Sequence, residues 1–307
     1  MVLALALSVS PAAAAGIGIQ LLDVPTTARL DPRARLYIID HVPPGTVLRR
    51  RIEISNTTGS TADVAVYPAA AAIQHGAFLG APGRTRNELS TWTSVSRRSL
   101  RMRANGHATV VVRVSVPGDA APGERYGVVW AQVSSRAASG EGLTQVSRVG
   151  IRMYLSVGPG GPPAADFTID SLTALRSADG RPMVLARVRN TGGRALDMHG
   201  SLRLRNGPGG LRAGPFPADL GVALAIGRTE HVTTVLDRRL PKGPWAARLV
   251  LRSGLLSRDA AATITFPDES APSSGSSLGL LALIGGLLAA GVGLLVAVRA
   301  RRRRVRA

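Results

Sequence analysis

The chain has 307 residues, a formal net charge of +19, 4% aromatic residues and no cysteine. The lack of cysteine excludes a disulfide framework and thiol chemistry, so each domain must stand on its hydrophobic core. Glycine (35) and proline (20) are frequent but follow no three-residue period, which excludes a collagen-like fibre. Nearly all the positive charge is arginine, Lys242 being the sole lysine. Two origins fit this charge: attraction to an anionic wall polymer or membrane surface, and a coding bias that also enriches alanine and glycine. The arginines are scattered, so nucleic acid is not an expected partner.

Residues 1–15 read as a secretory signal. Positions 1–9 are mostly Leu, Val and Ala, Ser10-Pro11 breaks the run, and Ala12 to Gly16 offer small-residue cleavage positions. A positive segment ahead of the apolar run is missing, which leaves open an atypical start or one further upstream.

Residues 17–158 form the first expected domain. Strand patterns cover 18–24, 36–40, 47–56, 62–73, 99–102, 108–116, 125–134 and 145–157. Val110, Val112, Val114 and Val116 alternate with Val111, Arg113 and Ser115, the two-residue period of a strand. In 47–56 the alternation is imperfect, because Arg50 falls on the apolar side. Pro43-Pro44-Gly45, Asn56-Thr57-Thr58-Gly59 and the segment 117–123 are turns. Residues 74–93 show little periodicity and are expected to be a long loop. Short strands punctuated this way indicate an all-β immunoglobulin-like sandwich.

The segments Asp40-His41-Val42-Pro43-Pro44-Gly45, Ile52-Glu53-Ile54-Ser55-Asn56-Thr57-Thr58, Val114-Ser115-Val116-Pro117 and Pro122-Gly123-Glu124-Arg125-Tyr126-Gly127-Val128-Val129-Trp130-Ala131 follow one another in that order. In this the chain resembles the N-terminal domain of WxL-interacting proteins and their actinobacterial membrane-anchored relatives. The resemblance covers roughly residues 17–157, about half of the chain. It implies an exported, membrane-anchored protein of Gram-positive bacteria with an immunoglobulin-like domain of the peptidoglycan-binding type.

Trp92, Arg97, Arg98, Tyr126 and Trp130 are the candidate ligand-binding residues. Each has a structural alternative. Trp130 between Val129 and Ala131 fits a core position, and Tyr126 fits a corner hydroxyl that caps the backbone. Trp92, beside the expected loop, could stack on a sugar ring or plug the end of the sandwich.

Residues 159–163 (Pro-Gly-Gly-Pro-Pro) are a linker. Residues 164–267 form a second expected immunoglobulin-like sandwich, with strand patterns at 167–175, 183–189, 200–205, 229–236, 246–251 and 260–266. Its segment Ala186-Arg187-Val188-Arg189-Asn190-Thr191-Gly192 echoes Arg51-Ile52-Glu53-Ile54-Ser55-Asn56-Thr57, a strand running into an Asn-Thr turn, which suggests two copies of one architecture. Residues 268–277 read as a polar stalk.

Residues 278–298 contain no charged side chain. As a helix they would be about 31 Å long, the thickness of a bilayer's hydrocarbon core. The tail 299–307 carries Arg299, Arg301, Arg302, Arg303, Arg304 and Arg306 and is expected to stay in the cytoplasm. The expected location is the cell membrane, single-pass, with both sandwiches outside.

No catalytic pattern stands out. His41, His75, His107, His199 and His231 lack the i, i+4 spacing of a metalloprotease helix. There is no G-x-S-x-G elbow and no P-loop, and the carboxylates of the first domain occur singly. The expectation is a non-enzymatic surface protein without cofactor or metal, its partner being cell-wall peptidoglycan or a surface protein. The alternative is an accessory or docking subunit of a membrane complex with no glycan binding.

Overall fold

The computed structural model describes residues 16–25, 29–136, 144–218 and 221–268. The expected signal, the stalk beyond Asp268, the apolar run 278–298 and the tail 299–307 lie outside the described residues. No described helix is long and apolar enough to cross a membrane.

The fold is all-β. In the first sandwich the elements are β1 (Ile17–Leu21), β2 (Ile38–Val42), β3 (Val47–Asn56), β4 (Ala62–Gln74), β5 (Ala77–Gly80), α1 (Glu88–Trp92), β6 (Thr93–Val95), β7 (Ser99–Met102), β8 (His107–Ser115), β9 (Gly123–Arg136) and β10 (Thr144–Val157). One sheet has the order β1-β3-β8-β6, the other β2-β10-β9-β4-β5, with β7 also on β4. β2 runs parallel to β10 and the remaining pairs of these sheets are antiparallel. Strands one, two, five and four of an immunoglobulin-type sandwich thus face the last, sixth and third. The core between the sheets is aliphatic: Ile52 and Ile54 of β3, Val110, Val112 and Val114 of β8, Val129 of β9 and Ile151, Met153 and Leu155 of β10. Each such side chain, fully buried, contributes about 1.5–3 kcal/mol.

One expectation for this domain needs correction. The stretch 74–93 is not one loop. His75 and Gly76 both have positive φ, 48° and 71°, and close a tight hairpin between β4 and β5. Asn87 then caps α1 through a reciprocal pair with Ser90, Asn87 Oδ1 accepting from the Ser90 N–H at 2.9 Å and Ser90 Oγ from the Asn87 N–H at 2.7 Å. Both signals are local and weakly apolar, so periodicity does not reveal them. The misfit of Arg50 also resolves: its guanidinium turns inward and is paired with Asp40 of β2.

The second sandwich contains β11 (Phe167–Arg176), β12 (Pro182–Asn190), β13 (Leu196–Asp197), β14 (His199–Arg205), β15 (Ala213–Pro217), β16 (Ala223–Leu224), β17 (Thr229–Val235), β18 (Trp245–Ser253) and β19 (Leu256–Ile264). Sheets β11-β12-β17 and β15-β14-β18-β19 face each other, with the small pair β13-β16 at their side. Phe167, Phe266 and Trp245 fill this core, and the Trp245 indole N–H donates to the Pro241 carbonyl at 2.9 Å.

A polar joint ties the two sandwiches together. Arg152 of β10 lies between the rings of Tyr37 and Phe78, 5.2 and 4.9 Å from their centroids, and pairs with Asp197 of β13 at 3.0 Å. Tyr154 donates its hydroxyl to the same Asp197 oxygen at 2.9 Å. Tyr126 donates to Glu124 at 2.8 Å, and that Glu124 oxygen accepts from the backbone N–H of Ala195 at 2.7 Å. Arg33, only 6% exposed, is held by Asp31 at 3.0 Å and donates to the Ala195 carbonyl at 3.3 Å. The tip of the β4–β5 hairpin completes the contact: the Ala223 N–H donates to the Gly76 carbonyl at 2.7 Å. Burial pushes the Asp197 and Glu124 carboxyls above their usual values even against these partners. Burial and the adjacent carboxylates also push the Tyr126 and Tyr154 hydroxyls far up, so both act as hydrogen-bond donors.

Candidate binding surface

A basic concavity of the first sandwich lies along the open side of β4. Three hydrogen bonds dock neighbouring segments onto that side. The Val66 N–H donates to the Arg98 carbonyl at 3.0 Å, the Ala70 N–H to Thr85 at 2.8 Å, and the Ala81 N–H to the Ala70 carbonyl at 2.8 Å. Between them sits Pro68, which has no N–H to offer, so the edge stays unpaired there. The resulting groove has a volume of about 250 Å³. Arg84, Arg86 and Arg98 line it, together with the hydroxyl residues Ser90, Thr93 and Ser94.

The segment that carries Arg84 and Arg86 is pinned at its end. Asn87 donates from Nδ2 to the Tyr126 carbonyl of β9 at 2.7 Å while its Oδ1 caps α1. Arg84 also lies over the ring of Tyr67, 4.5 Å from its centroid. Among the described residues none of Arg84, Arg86 and Arg98 is in an ion pair. The nearby carboxylate of Glu88 is taken by Arg125 at 2.9 Å. The hydroxyls of Ser90 and Thr93 are spent on the Asn87 and Leu89 carbonyls at 3.0 and 2.6 Å, so the guanidinium groups are what the groove offers. Three guanidinium groups without a counter-charge suit an anion: guanidinium forks bind carboxylate or phosphate oxygens in pairs.

A second basic cavity of about 300 Å³ lies on the other side of the β6–β7 turn. Arg97, Arg101, Arg103 and His107 line it over Leu100 and Met102. His107 is 3.3 Å from Glu53, which also accepts from Gln20 at 2.7 Å. Asp63 stands opposite Arg101 in the β4–β7 register without an ion pair between them.

The five residues singled out from the sequence are dispersed. Arg98 lines the groove and Arg97 the second cavity. Trp92, half-buried, packs against the core with Arg125 over its ring at 4.9 Å, so its face is covered. Tyr126 belongs to the joint between the sandwiches, edge-on to Phe78 and Tyr154 at 6.4 and 5.8 Å. Trp130 is not in the core between the sheets. Val129 and Ala131 point inward, which turns Trp130 to the outer face of the sheet, directly opposite Tyr67. There its indole N–H donates to the Ala81 carbonyl at 3.1 Å and Arg148 covers its ring at 4.7 Å. Gly80 and Gly150 leave room for that ring: a Cβ on either would fall 2.5–2.6 Å from it.

Sequence reasoning passed over Arg84, Arg86, Arg101 and Arg103. The signal was there in their spacing of two, which places both members of each pair on one side of an extended chain. Leu100 and Met102 between and beside the second pair are buried.

No protein-family model matches the chain, and no curated protein does. Solved structures are similar in outline. The Pseudomonas aeruginosa CupB2 chaperone is 12% identical with a TM-score of 0.39, covering 74% of this chain and 97% of that one. The Escherichia coli chaperone DraB is 10% identical with a TM-score of 0.39, covering 74% and 95%. The CsuC–CsuE chaperone–tip adhesion subunit pre-assembly complex of Acinetobacter baumannii gives 11% and 0.39, covering 76% and 97%. Similarities this distant carry no function from those proteins to this chain.

Proposed function

We propose that the chain is a non-enzymatic, membrane-anchored cell-surface protein whose first sandwich binds the cell wall. The observation that carries this is the groove of Arg84, Arg86 and Arg98, whose guanidinium groups have no carboxylate partner among the described residues. Cell-wall material is rich in carboxylates and phosphates, the groups such a groove takes. The resemblance of residues 17–157 to the WxL-interacting proteins supports the same reading and names peptidoglycan as the wall ligand. The uncharged run 278–298 and the arginines after it support anchoring with the sandwiches outside.

The test is co-sedimentation of the full chain, kept in detergent, with purified Gram-positive wall at about 50 mM and about 500 mM salt. Screening shortens from roughly 14 Å to roughly 4 Å between these conditions. Binding at the lower salt that weakens in an Arg84→Gln/Arg86→Gln variant is the expected result. A wild-type chain left in the supernatant at both salts removes the proposal.

One observation favours a second reading, a docking subunit of a membrane complex. The joint around Asp197 holds the two sandwiches as one body, which suits a scaffold that presents a fixed surface to a protein. A stoichiometric membrane partner that co-purifies with a chain unable to bind wall would decide for this alternative.

A further inference from the structure

We propose that the two basic cavities form one track for a linear polyanion with repeating phosphodiester groups. This rests on the reading of the first sandwich as the wall-binding domain and assigns its arginine edge to a wall polymer other than the peptidoglycan that the resemblance names. Arg98 lines the first cavity and Arg97, its neighbour in sequence, lines the second. The cavities therefore lie on the two sides of a single turn, between Val95, which ends β6, and Ser99, which begins β7. The Cα atoms of Arg97 and Arg98 are about 3.8 Å apart, so the two cavities meet at this turn, close enough for one linear chain to be asked to fill both.

The lining decides the ligand class. No aromatic side chain lines either cavity, so neither offers a ring on which a sugar could stack. The aromatic groups nearby are already covered: Arg84 lies over Tyr67, Arg125 over Trp92 and Arg148 over Trp130. What the cavities present is arginine. Arg84, Arg86, Arg98, Arg97, Arg101 and Arg103 are all exposed, and none is in an ion pair among the described residues.

A ligand for this edge must carry its charges in line, along its backbone, at every repeat. A phosphodiester polymer does so. A glycan whose carboxylates hang on side peptides does not. Concavity also argues against a flat membrane surface, since Val66 and Pro68 form part of one floor and Leu100 and Met102 part of the other. Occupying both cavities with one chain makes the second contact intramolecular, so affinity rises with polymer length.

The experiment measures binding of the full chain in detergent to poly(glycerol phosphate) of defined length, with inorganic phosphate as the single-anion comparison. Three double variants are compared: Arg84→Gln/Arg86→Gln, Arg97→Gln/Arg101→Gln and, as a charge-matched control on the second sandwich, Arg187→Gln/Arg189→Gln. All six residues are exposed, so the fold is expected to survive, and a thermal melt checks it. The expected result is affinity that grows with polymer length and falls about tenfold or more in each of the first two variants, with the control unchanged. Equal losses in all three variants would mean non-specific charge attraction and overturn the proposal. Loss in one of the two track variants alone, or phosphate competing as well as polymer, would reduce the site to a single-anion pocket and also overturn it. Walls stripped of their phosphodiester polymer separate this inference from the broader one. Undiminished binding to stripped wall with none to free polymer sinks the track and leaves wall binding standing. No binding to native wall, stripped wall or polymer sinks both.

Discussion

Asn190 occupies in the second sandwich the place that Asn56 occupies in the first. Each ends a strand, β3 in the first domain and β12 in the second, and each is buried, at 0% and 1% exposure. Asn56 Nδ2 donates to the carbonyls of Ser60, Met102 and Arg103 at 2.8, 3.2 and 3.0 Å, and its Oδ1 accepts from the Thr58 N–H at 3.1 Å. Asn190 Nδ2 donates to the carbonyls of Arg194 and Leu224 at 2.8 and 3.1 Å, and its Oδ1 accepts from the Gly192 N–H at 2.9 Å. One amide thus closes its own turn and ties it to a segment some 30 to 50 residues away. The same bonds commit the Asn56 nitrogen inside the fold, so Asn56-Thr57-Thr58 is closed to glycosylation once the domain has folded.

Replacing either asparagine by alanine leaves buried carbonyls without donors. Each of Asn56→Ala and Asn190→Ala is expected to cost about 2–3 kcal/mol, read from urea unfolding. Asn56→Asp is expected to cost more at neutral pH, because a carboxylate would face carbonyl oxygens. That extra loss should shrink as pH falls from neutral toward about 4, because the acid facing carbonyls is protonated more readily in the folded state and regains a donor. A variant as stable as wild type at neutral pH would show that the amide bonds do not hold the turn.

At the joint, Asp197 accepts from Arg152 and Tyr154 through the same oxygen, Oδ1. Its Oδ2 is buried without a hydrogen bond, 3.9 Å from Arg33. Asparagine can keep Oδ1 in place, whereas alanine strands Arg152 and Tyr154. Asp197→Ala is expected to cost about 3 kcal/mol and to open the 158–166 segment to limited proteolysis. Asp197→Asn should stay within about 1 kcal/mol of wild type and remain protected. Equal proteolysis of both variants would mean that the Oδ1 bonds do not hold the domains together.

The raised carboxyls of Asp197 and Glu124 set a pH dependence with a definite sign. A carboxyl whose folded value lies above its unfolded one binds its proton more tightly in the folded state. Its charged form therefore costs stability at neutral pH, and that cost fades as pH falls toward the unfolded value near 4. Glu124→Gln/Asp197→Asn removes both titrations and can keep the acceptor oxygens. Stability relative to wild type should be most favourable to this variant at pH 7 and decline steadily toward pH 4. Urea unfolding at about pH 4.5, 5.5 and 7 checks this. A difference that grows on acidification would contradict it. Asp23 acts in the opposite sense, since its bonds to Arg51 lower its carboxyl, so its contribution is lost as pH falls below the usual carboxylate range.

Trp130 needs the missing side chains of Gly80 and Gly150. A Cβ at position 150 would sit 2.6 Å from the indole, so Gly150→Ala must push the ring off the sheet. We expect a loss of about 1–3 kcal/mol and a red shift in tryptophan fluorescence as the indole leaves its place under Arg148. A shift that is absent, with stability unchanged, would mean that the ring has another place to go.

The two-residue period marked the long strands, because the inward face of a sheet must be apolar and the turns between strands carry glycine, proline and Asn-Thr. It did not mark the short strands β5, β6, β13, β15 and β16, which hold too few residues to show a period. It placed Val110, Val112 and Val114 on one face, and the repeated Asn-Thr turn pointed to a shared device in both halves. The surface could not be read that way. Alternation says that Trp130 and Val129 face opposite sides, but not which side is the core. Arg84 and Arg98 approach one groove only because the segments carrying them dock on the same side of β4 through Thr85 and Arg98. Tyr126 meets Glu124, two residues away, but its ring partners come from β5 and β10, and Ala195 from the other sandwich. Local periodicity is a property of neighbouring residues. The joint and the basic edge are made by pairings between distant ones, and only the packing of sheet on sheet and domain on domain brings those together.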